Sequence, residues 1–380
     1  MEAILPGASL GILGGGQLGR MFAMEAKRMG YRVVTLEPTP NSPCGQIADR
    51  QIEAEYDDRQ ALAELARACD VITYEFENID AGAVAYLEGL GKPVRPGSRV
   101  LRITQDRLLE KEFLRGEGLG VTGFAAVGSP EDLREAAVAV GLPAILKTVQ
   151  GGYDGKGQAV VATAGEASAA FEKLYRGSPL IWESKVPFLK EMSVVACRGA
   201  DGQVAAYPAA ENVHVSNILD ISMAPARVPP EVAARAVRIA EAVGAGLEMV
   251  GTYCVEMFLT AGGGILVNEI APRPHNSGHY TLDACACSQF EQQVRALCGL
   301  PLGSTALLKS AVMVNILGDG NGDNLEGVED LLRAENAVFH LYGKPRAAAK
   351  RKMGHFTVLA DSVDAALAKA EAIRGRLRWR

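Results

Sequence analysis

Residues 147–158 read Lys147-Thr-Val-Gln-Gly151-Gly152-Tyr153-Asp154-Gly155-Lys156-Gly157-Gln158. Four glycines in seven residues, with a lysine among them, invite comparison with a phosphate-cradling Walker loop. Two features reject it. No Ser or Thr follows Lys156 to hold magnesium, and the loop runs from strand to strand, not from strand to helix. A glycine-rich loop between two strands folds instead as a flap over phosphates, with Lys147 as a fixed cation on the preceding strand. A bare hairpin tip seldom carries Tyr, Asp and Lys between glycines, so a binding role is the preferred reading.

Around this flap the pattern mixes hairpins and helices. Strands are expected at 144–149, 158–163, 179–184, 191–197 and 203–207, helices at 165–176 and 229–243, and a hairpin over 252–270. That mixture is α+β. A charged amphipathic helix from Thr104 to Gly116 opens the region. Residues 8–100, by contrast, alternate short apolar strands (9–13, 32–36, 71–74) with helical periods, which implies a parallel, doubly wound α/β sheet. Turn formers at Gly91–Gly97 close that domain. The last eighty residues hold strands at 311–317, 337–342 and 355–359 and a final helix from about 361. The resulting division is 1–97, 98–300 with a lid at about 122–186, and 301–380.

Composition narrows the function. A net charge of −6 argues against a general nucleic-acid binder, and no apolar run reaches the ~20 residues of a membrane helix. The N-terminus shows no Lys/Arg-led signal peptide, and seven scattered cysteines suit a reducing compartment, so a cytoplasmic protein is expected.

Three further constellations carry chemistry. Gly14, Gly16 and Gly19 give the G-x-G-x-x-G spacing after a strand, with Glu37 where a ribose-binding acid would lie; read alone, this says NAD, weakly. In the hairpin, a four-residue turn at Ala261–Gly264 puts Thr260 opposite Ile265 and, counting outward, Glu256 opposite Glu269. Two carboxylates with Cβ atoms about 5 Å apart repel unless a cation lies between them, and magnesium fits that role. Strict alternation turns Asn268 to the other face, so any role for it needs a bulge. Arg273, His275 and Asn276 follow directly, as donors for an anion. Lys344, Arg346, Lys350, Arg351 and Lys352 form a basic cluster sized for a phosphate monoester, without the aromatic interleaving of a nucleic-acid patch.

Taken together, Gly14–Met21 (GGGQLGRM), Gly151–Gln158 (GGYDGKGQ) and Asn268–Tyr280 (NEIAPRPHNSGHY) resemble the ATP-grasp enzymes of purine biosynthesis, and among them the N5-carboxyaminoimidazole ribonucleotide synthetases. The resemblance runs from about residue 8 to 358. It implies a Rossmann-like N-terminal domain, an ATP-grasp centre with a mobile lid, a small C-terminal domain and a homodimer. The implied reaction is the ATP- and bicarbonate-dependent carboxylation of aminoimidazole ribonucleotide through carboxyphosphate.

By resemblance, ATP is gripped by Arg107, Lys147, Gly152, Tyr153, Asp154, Gly155, Lys156, Gly157, Gln158, Glu183, Ser184, Lys185, Val186, Glu191, His214, Asn268 and Glu269, with magnesium on Glu256 and Glu269. Arg273, His275 and Asn276 hold bicarbonate. Gln17, Leu18, Glu75, Tyr153, Lys344, Arg351 and Lys352 receive the ribonucleotide, and no dinucleotide binds. Asp154 is the candidate to orient the amine or take its proton. One departure stands out. The family reads Arg-Pro-Gly-Arg-Lys before Met-Gly-His, and this chain has Ala348-Ala349-Lys350-Arg351-Lys352, which leaves the loop's shape open.

Overall fold

A computed structural model describes residues 2–152 and 155–380. Tyr153 and Asp154, both expected at the site, lie outside the described residues. Strands β1 (Ser9–Leu13), β2 (Arg32–Leu36), β3 (Arg50–Ile52) and β4 (Val71–Tyr74) form a parallel sheet in the order β3-β2-β1-β4. β1 and β4 are buried throughout, as strands covered by helices on both faces must be. Helix Gln17–Arg28 packs Met21, Phe22 and Ala26 on one face, and helix Arg59–Ala68 packs Leu62 and Leu65 on the other.

The second sheet is antiparallel, in the order β5-β8-β6-β7, from β5 (Phe124–Val127), β6 (Ala144–Thr148), β7 (Gln158–Val161) and β8 (Leu180–Ser184). Trp182, Leu146 and Val127 meet Leu133 and Phe171 from two covering helices. Strand β5 and helix Pro130–Ala139 carry too weak a periodicity to be read from sequence. The expected helix at 104–116 is two helices, Ser98–Gln105 and Arg107–Gly116. Asp106 parts them, because its carboxylate accepts from the N–H groups of Leu108 (3.0 Å) and Leu109 (3.1 Å) and so starts a new helix.

The remaining strands are β9 (Phe188–Arg198), β10 (Val204–Ala206), β11 (Ala210–Val215), β12 (Ile218–Ala224), β13 (Gly251–Thr260), β14 (Ile265–Ala271), β15 (Ser310–Leu317), β16 (Leu325–Glu326), β17 (Ala337–Leu341), β18 (Lys352–Ala360) and β19 (Arg378–Trp379). Nine of them make one sheet, β14-β13-β9-β11-β12-β15-β18-β17 with β10 beside β9, while β16 pairs with β19. The C-terminal strands therefore continue the central sheet. Helix Gln289–Leu297 lays Phe290, Val294 and Leu297 against Phe22 and Leu10, docking the parallel domain on the centre. All seven cysteines are buried free thiols, and no helix among the described residues is long and apolar enough to cross a membrane.

Candidate active site

The β13–β14 hairpin is the spine of the site. Its tip differs from the sequence count: Leu259, not Thr260, faces Ile265, and Thr260 N–H closes the turn on Gly264 O at 2.9 Å. A bulge between Met257 and Glu256 then absorbs Asn268, and Glu256 stands opposite Glu269 after all. The bulge that a role for Asn268 requires is present.

Burial opposes charge on Glu256, but His275 Nε2 at 3.0 Å, with His214 behind it, holds the carboxyl down at about 2. Burial and the neighbouring Glu256 push Glu269 the other way. His214 Nδ1 meets Glu191 at 2.7 Å; burial works against its charge, and Glu191 and Glu256 raise it. Two facing carboxylates, one of them leaning on a histidine for positive charge, fit magnesium.

On one side of this pair lies a cationic wall. Lys147 Nζ is 3.2 Å from Glu183 Oε1, and Lys111 Nζ is 3.8 Å from Glu183 Oε2. Burial alone raises Glu183, yet the two lysines hold it below the usual carboxylate range. Lys111 is 1% exposed and reaches Asn268 O at 2.7 Å, so it also pins the bulge. Arg107 donates to Thr148 O (3.3 Å) and Gly152 O (3.0 Å), tying the glycine flap to the helix start. A cleft of about 420 Å³ is lined by Glu77, Arg107, Glu110, Gly151, Gly152 and Glu269. The flap does join strand to strand, since Lys147 pairs with Gln158. Gly157 adopts φ +70° with Thr148 Oγ1 only 2.7 Å from where a Cβ would sit, so no larger residue fits. Ser184 and Lys185 follow along the lid edge, where their N–H groups bond Gly123 O (2.9 Å) and Pro143 O (3.0 Å); Lys185 is exposed, Val186 half-buried beside it and Lys156 exposed on the flap.

On the other side, Arg273 makes a two-pronged ion pair with Glu77, through Nε to Oε2 and Nη2 to Oε1 (2.9 Å). Burial opposes charge on His275, but Cys254 and Glu256 raise it to about 10. Asn276 is placed differently from expectation: its amide and carbonyl both engage Asn315, at 3.0 and 2.8 Å, so it faces into the sheet.

The first glycine loop holds side chains where a dinucleotide phosphate would go. Glu75 accepts from the N–H groups of Gly16 (2.5 Å) and Gly19 (2.6 Å), and Glu37 accepts from Gly15 (2.8 Å). A Cβ on Gly14 or Gly15 would fall 2.3 Å from these carboxylate stems. Glu37 is thus a plug of the loop, with Tyr56 bonded to it at 2.5 Å, and the NAD reading fails. Burial raises Glu75 to about 7 against those two N–H bonds. Gln17 begins the helix, half-buried, and Leu18 lines a hollow of about 190 Å³ with Ile12, Phe22, Glu75 and Pro274.

The basic cluster closes this side. Lys344 donates to Lys352 O at 2.7 Å, and Arg351 to Arg346 O at 3.2 Å. Burial, then Arg351, lowers Lys344 to about 8. The loop stays pinned without its glycine: Lys350 N–H bonds Gly318 O, Gly318 N–H bonds Arg351 O, both at 2.8 Å, and Lys350 takes φ +66°. Behind it, Asp283 meets His340 Nε2 with both oxygens at 3.1 Å, and the His340 ring stacks on His355 at 4.5 Å and 13°. One potential ligand atom from each of Asp283, His340 and His355 lies within 4.8 Å of the other two.

Sequence reading missed Glu77, Glu110 and Lys111. Arg107, Glu110, Lys111 and Leu114 fall at i, i+3, i+4 and i+7, the stripe that a helix buries, and that spacing was the available signal.

Three family models match: a ribonucleotide synthetase preATP-grasp domain over residues 8–105, an ATP-grasp domain over 112–290, and a phosphoribosylaminoimidazole carboxylase C-terminal domain over 311–369. The chain is 47% identical over 363 residues to N5-carboxyaminoimidazole ribonucleotide synthase of Bacillus subtilis, covering 96% of this chain and 94% of the relative. The counterpart from Brucella melitensis is 46% identical, covering 93% and 97%. Among solved structures, an ADP complex of N5-carboxyaminoimidazole ribonucleotide synthetase superposes with a TM-score of 0.93 at 48% identity, covering 98% of each chain. The Aspergillus clavatus enzyme in complex with ADP and 5-aminoimidazole ribonucleotide gives 0.89 at 32%, covering 97% and 98%.

Proposed function

This chain belongs to the N5-carboxyaminoimidazole ribonucleotide synthase family, and from that premise we propose how its cleft carboxylates the exocyclic amine of 5-aminoimidazole ribonucleotide, with bicarbonate as carbon source. It is an ATP-dependent carbon–nitrogen ligase of purine biosynthesis. The observation that best supports the site assignment is the Glu256–Glu269 pair, flanked by Lys147 and Arg107 on one side and Arg273 and His275 on the other.

Joining bicarbonate to ATP brings two anions together, so the barrier is largely charge repulsion. Arg107, Lys147 and the flap from Gly152 to Gln158 hold the phosphates, and the lid edge at Glu183–Val186 with Glu191 and His214 holds the rest of ATP. Magnesium, when bound on Glu256 and Glu269, would supply charge neutralisation between the phosphates. Arg273, kept in place by Glu77, and His275 orient bicarbonate. A bicarbonate oxygen attacks the γ-phosphorus, the bond to the β-phosphate oxygen breaks, and ADP leaves. Carboxyphosphate hydrolyses readily in water, and closure of the lid over it serves to exclude water. The amine nitrogen then bonds to the carboxyl carbon, phosphate departs, and the amine's proton passes to a base, for which Asp154 is proposed. Gln17, Leu18, Glu75 and Tyr153 seat the ribonucleotide, and Lys344, Arg351 and Lys352 receive its 5′-phosphate. A homodimer in the cytoplasm belongs to the same reading.

Phosphate release from ATP, measured with bicarbonate and with each candidate amine, tests the reading. Release that requires both bicarbonate and aminoimidazole ribonucleotide is expected. Release strictly dependent on glycinamide ribonucleotide and formate would overturn it.

A further inference from the structure

Asp283, His340 and His355 have no part in the chemistry assigned above, yet three segments of the chain bring them together. His340 and His355 stand directly opposite each other on β17 and β18, and Asp283 reaches them from the short helix Thr281–Ala284. Two imidazoles and a carboxylate thus offer ligand atoms within 4.8 Å of one another. His340 Nε2 is 3.1 Å from both Asp283 oxygens. Two ligands on one tetrahedral zinc, each about 2.0–2.2 Å from it, lie about 3.3–3.6 Å apart, so this pair is already near the spacing an ion requires. His340 is 24% exposed on the edge strand of the sheet, free to tilt off the His355 ring and close the remaining gap.

His355 adds an independent sign. The residue is fully buried, and its Nε2 has no hydrogen-bond partner among the described residues. A buried ring nitrogen seldom goes unpartnered. Its other nitrogen, Nδ1, meets the hydroxyl of Tyr342 at 2.8 Å. Burial, with His279 and His340 close by, pushes His355 well below its usual range, so the imidazole is neutral, the form in which it ligates a metal.

We propose that Asp283, His340 and His355 form a binding site for one divalent transition-metal ion of the zinc class, separate from the carboxylate pair of the cleft. His355 Nε2, His340 Nε2 and an Asp283 oxygen are the ligands, and the fourth position is left to water. His355 donates Nδ1–H to the Tyr342 hydroxyl, which turns the ring's lone pair toward the ion. The ion braces the two strands from which the basic loop springs against the segment that follows Arg273 and His275.

Equilibrium dialysis of the full chain against zinc, with magnesium in excess to hold the carboxylate pair of the cleft, tests the site. One zinc per chain is expected, together with a melting temperature that rises with zinc concentration. Tyr342→Phe removes only the partner of Nδ1 and should weaken binding about 10- to 100-fold. His340→Gln and Asp283→Asn each remove a ligand and should weaken it further; if one of them fails to fold, the other decides. His214→Gln, in the cleft, should leave zinc affinity unchanged. A wild type that binds no zinc at micromolar concentrations would overturn the proposal, as would equal affinity in the wild type, His340→Gln and Asp283→Asn. Loss of binding in His214→Gln would place the ion in the cleft and overturn it equally.

Discussion

Single charges decide what this cleft can hold. Glu269 is pushed up by burial and by Glu256 against the pull of Arg107, and a cation between the two carboxylates would offset their repulsion. Glu269→Gln keeps the shape and removes the charge. Since a bound cation offers several kcal/mol of charge stabilisation, ADP formation should fall at least about a hundredfold, while a thermal melt should show the fold intact; full turnover would place the metal elsewhere. Lys344 offers a pH signature. Burial and Arg351 lower it to about 8, so the cation is present below that pH and lost above it. With a phosphate as its partner, kcat/KM for the ribonucleotide should decline as pH rises through about 8, and Lys344→Arg should abolish the decline. A profile flat to pH 9 in the wild type would remove Lys344 from the phosphate site. Arg351→Ala should raise the KM for the ribonucleotide, having lost a charged contact worth roughly 1.5–3 kcal/mol, and unchanged affinity in that variant would exclude Arg351.

Between residues and the whole molecule, irregular backbone does most of the positioning. The facing glutamates were legible because strand alternation has period two, yet the count began one residue out at the tip and was restored by the bulge at Asn268. Alternation cannot see a bulge, which is held here by Lys111 on a distant helix. The same limit hid Glu77: its partner Arg273 comes from far along the sequence, and no local spacing records the pair. The strand–helix alternation of residues 9–74 was readable because each element buries its own apolar face, whereas β5 is half alanine and largely unburied, and β12 is buried at every position although Asp220 and Ser222 interrupt its apolar run. In the basic loop, Lys350 sits in the left-handed region, which costs an L-residue roughly 1–2 kcal/mol. Lys350→Gly removes that strain but adds freedom to the unfolded chain, so urea unfolding should show a net gain of about 0.5–1 kcal/mol. A loss of stability would mean that the Lys350 side chain makes a contact that outweighs its strain.

At the scale of the molecule, the nine-stranded sheet leaves no seam at which the C-terminal region could detach. β12 pairs with β15 from Ile221–Val314 to Ala224–Ala311, and β15 in turn carries β18 and β17. Ile221 and Met223 are buried against Val312, Val314 and Phe356, so the C-terminal strands complete the hydrophobic core of the centre. The basic loop between β17 and β18 is thereby fixed to the sheet that carries Glu256 and Glu269, while Gln46 of the parallel domain bonds Gly343 O at 3.0 Å from the other direction. The proposed phosphate loop and the proposed ATP cleft thus stand on one continuous framework. Removing residues 301–380 would open β12 as a long edge and expose its apolar face, the arrangement that drives strand-to-strand association. The shortened chain should run as aggregate on size exclusion and melt without a cooperative transition. A monodisperse fragment with a sharp melt would show that the centre folds alone and that its sheet needs no completion.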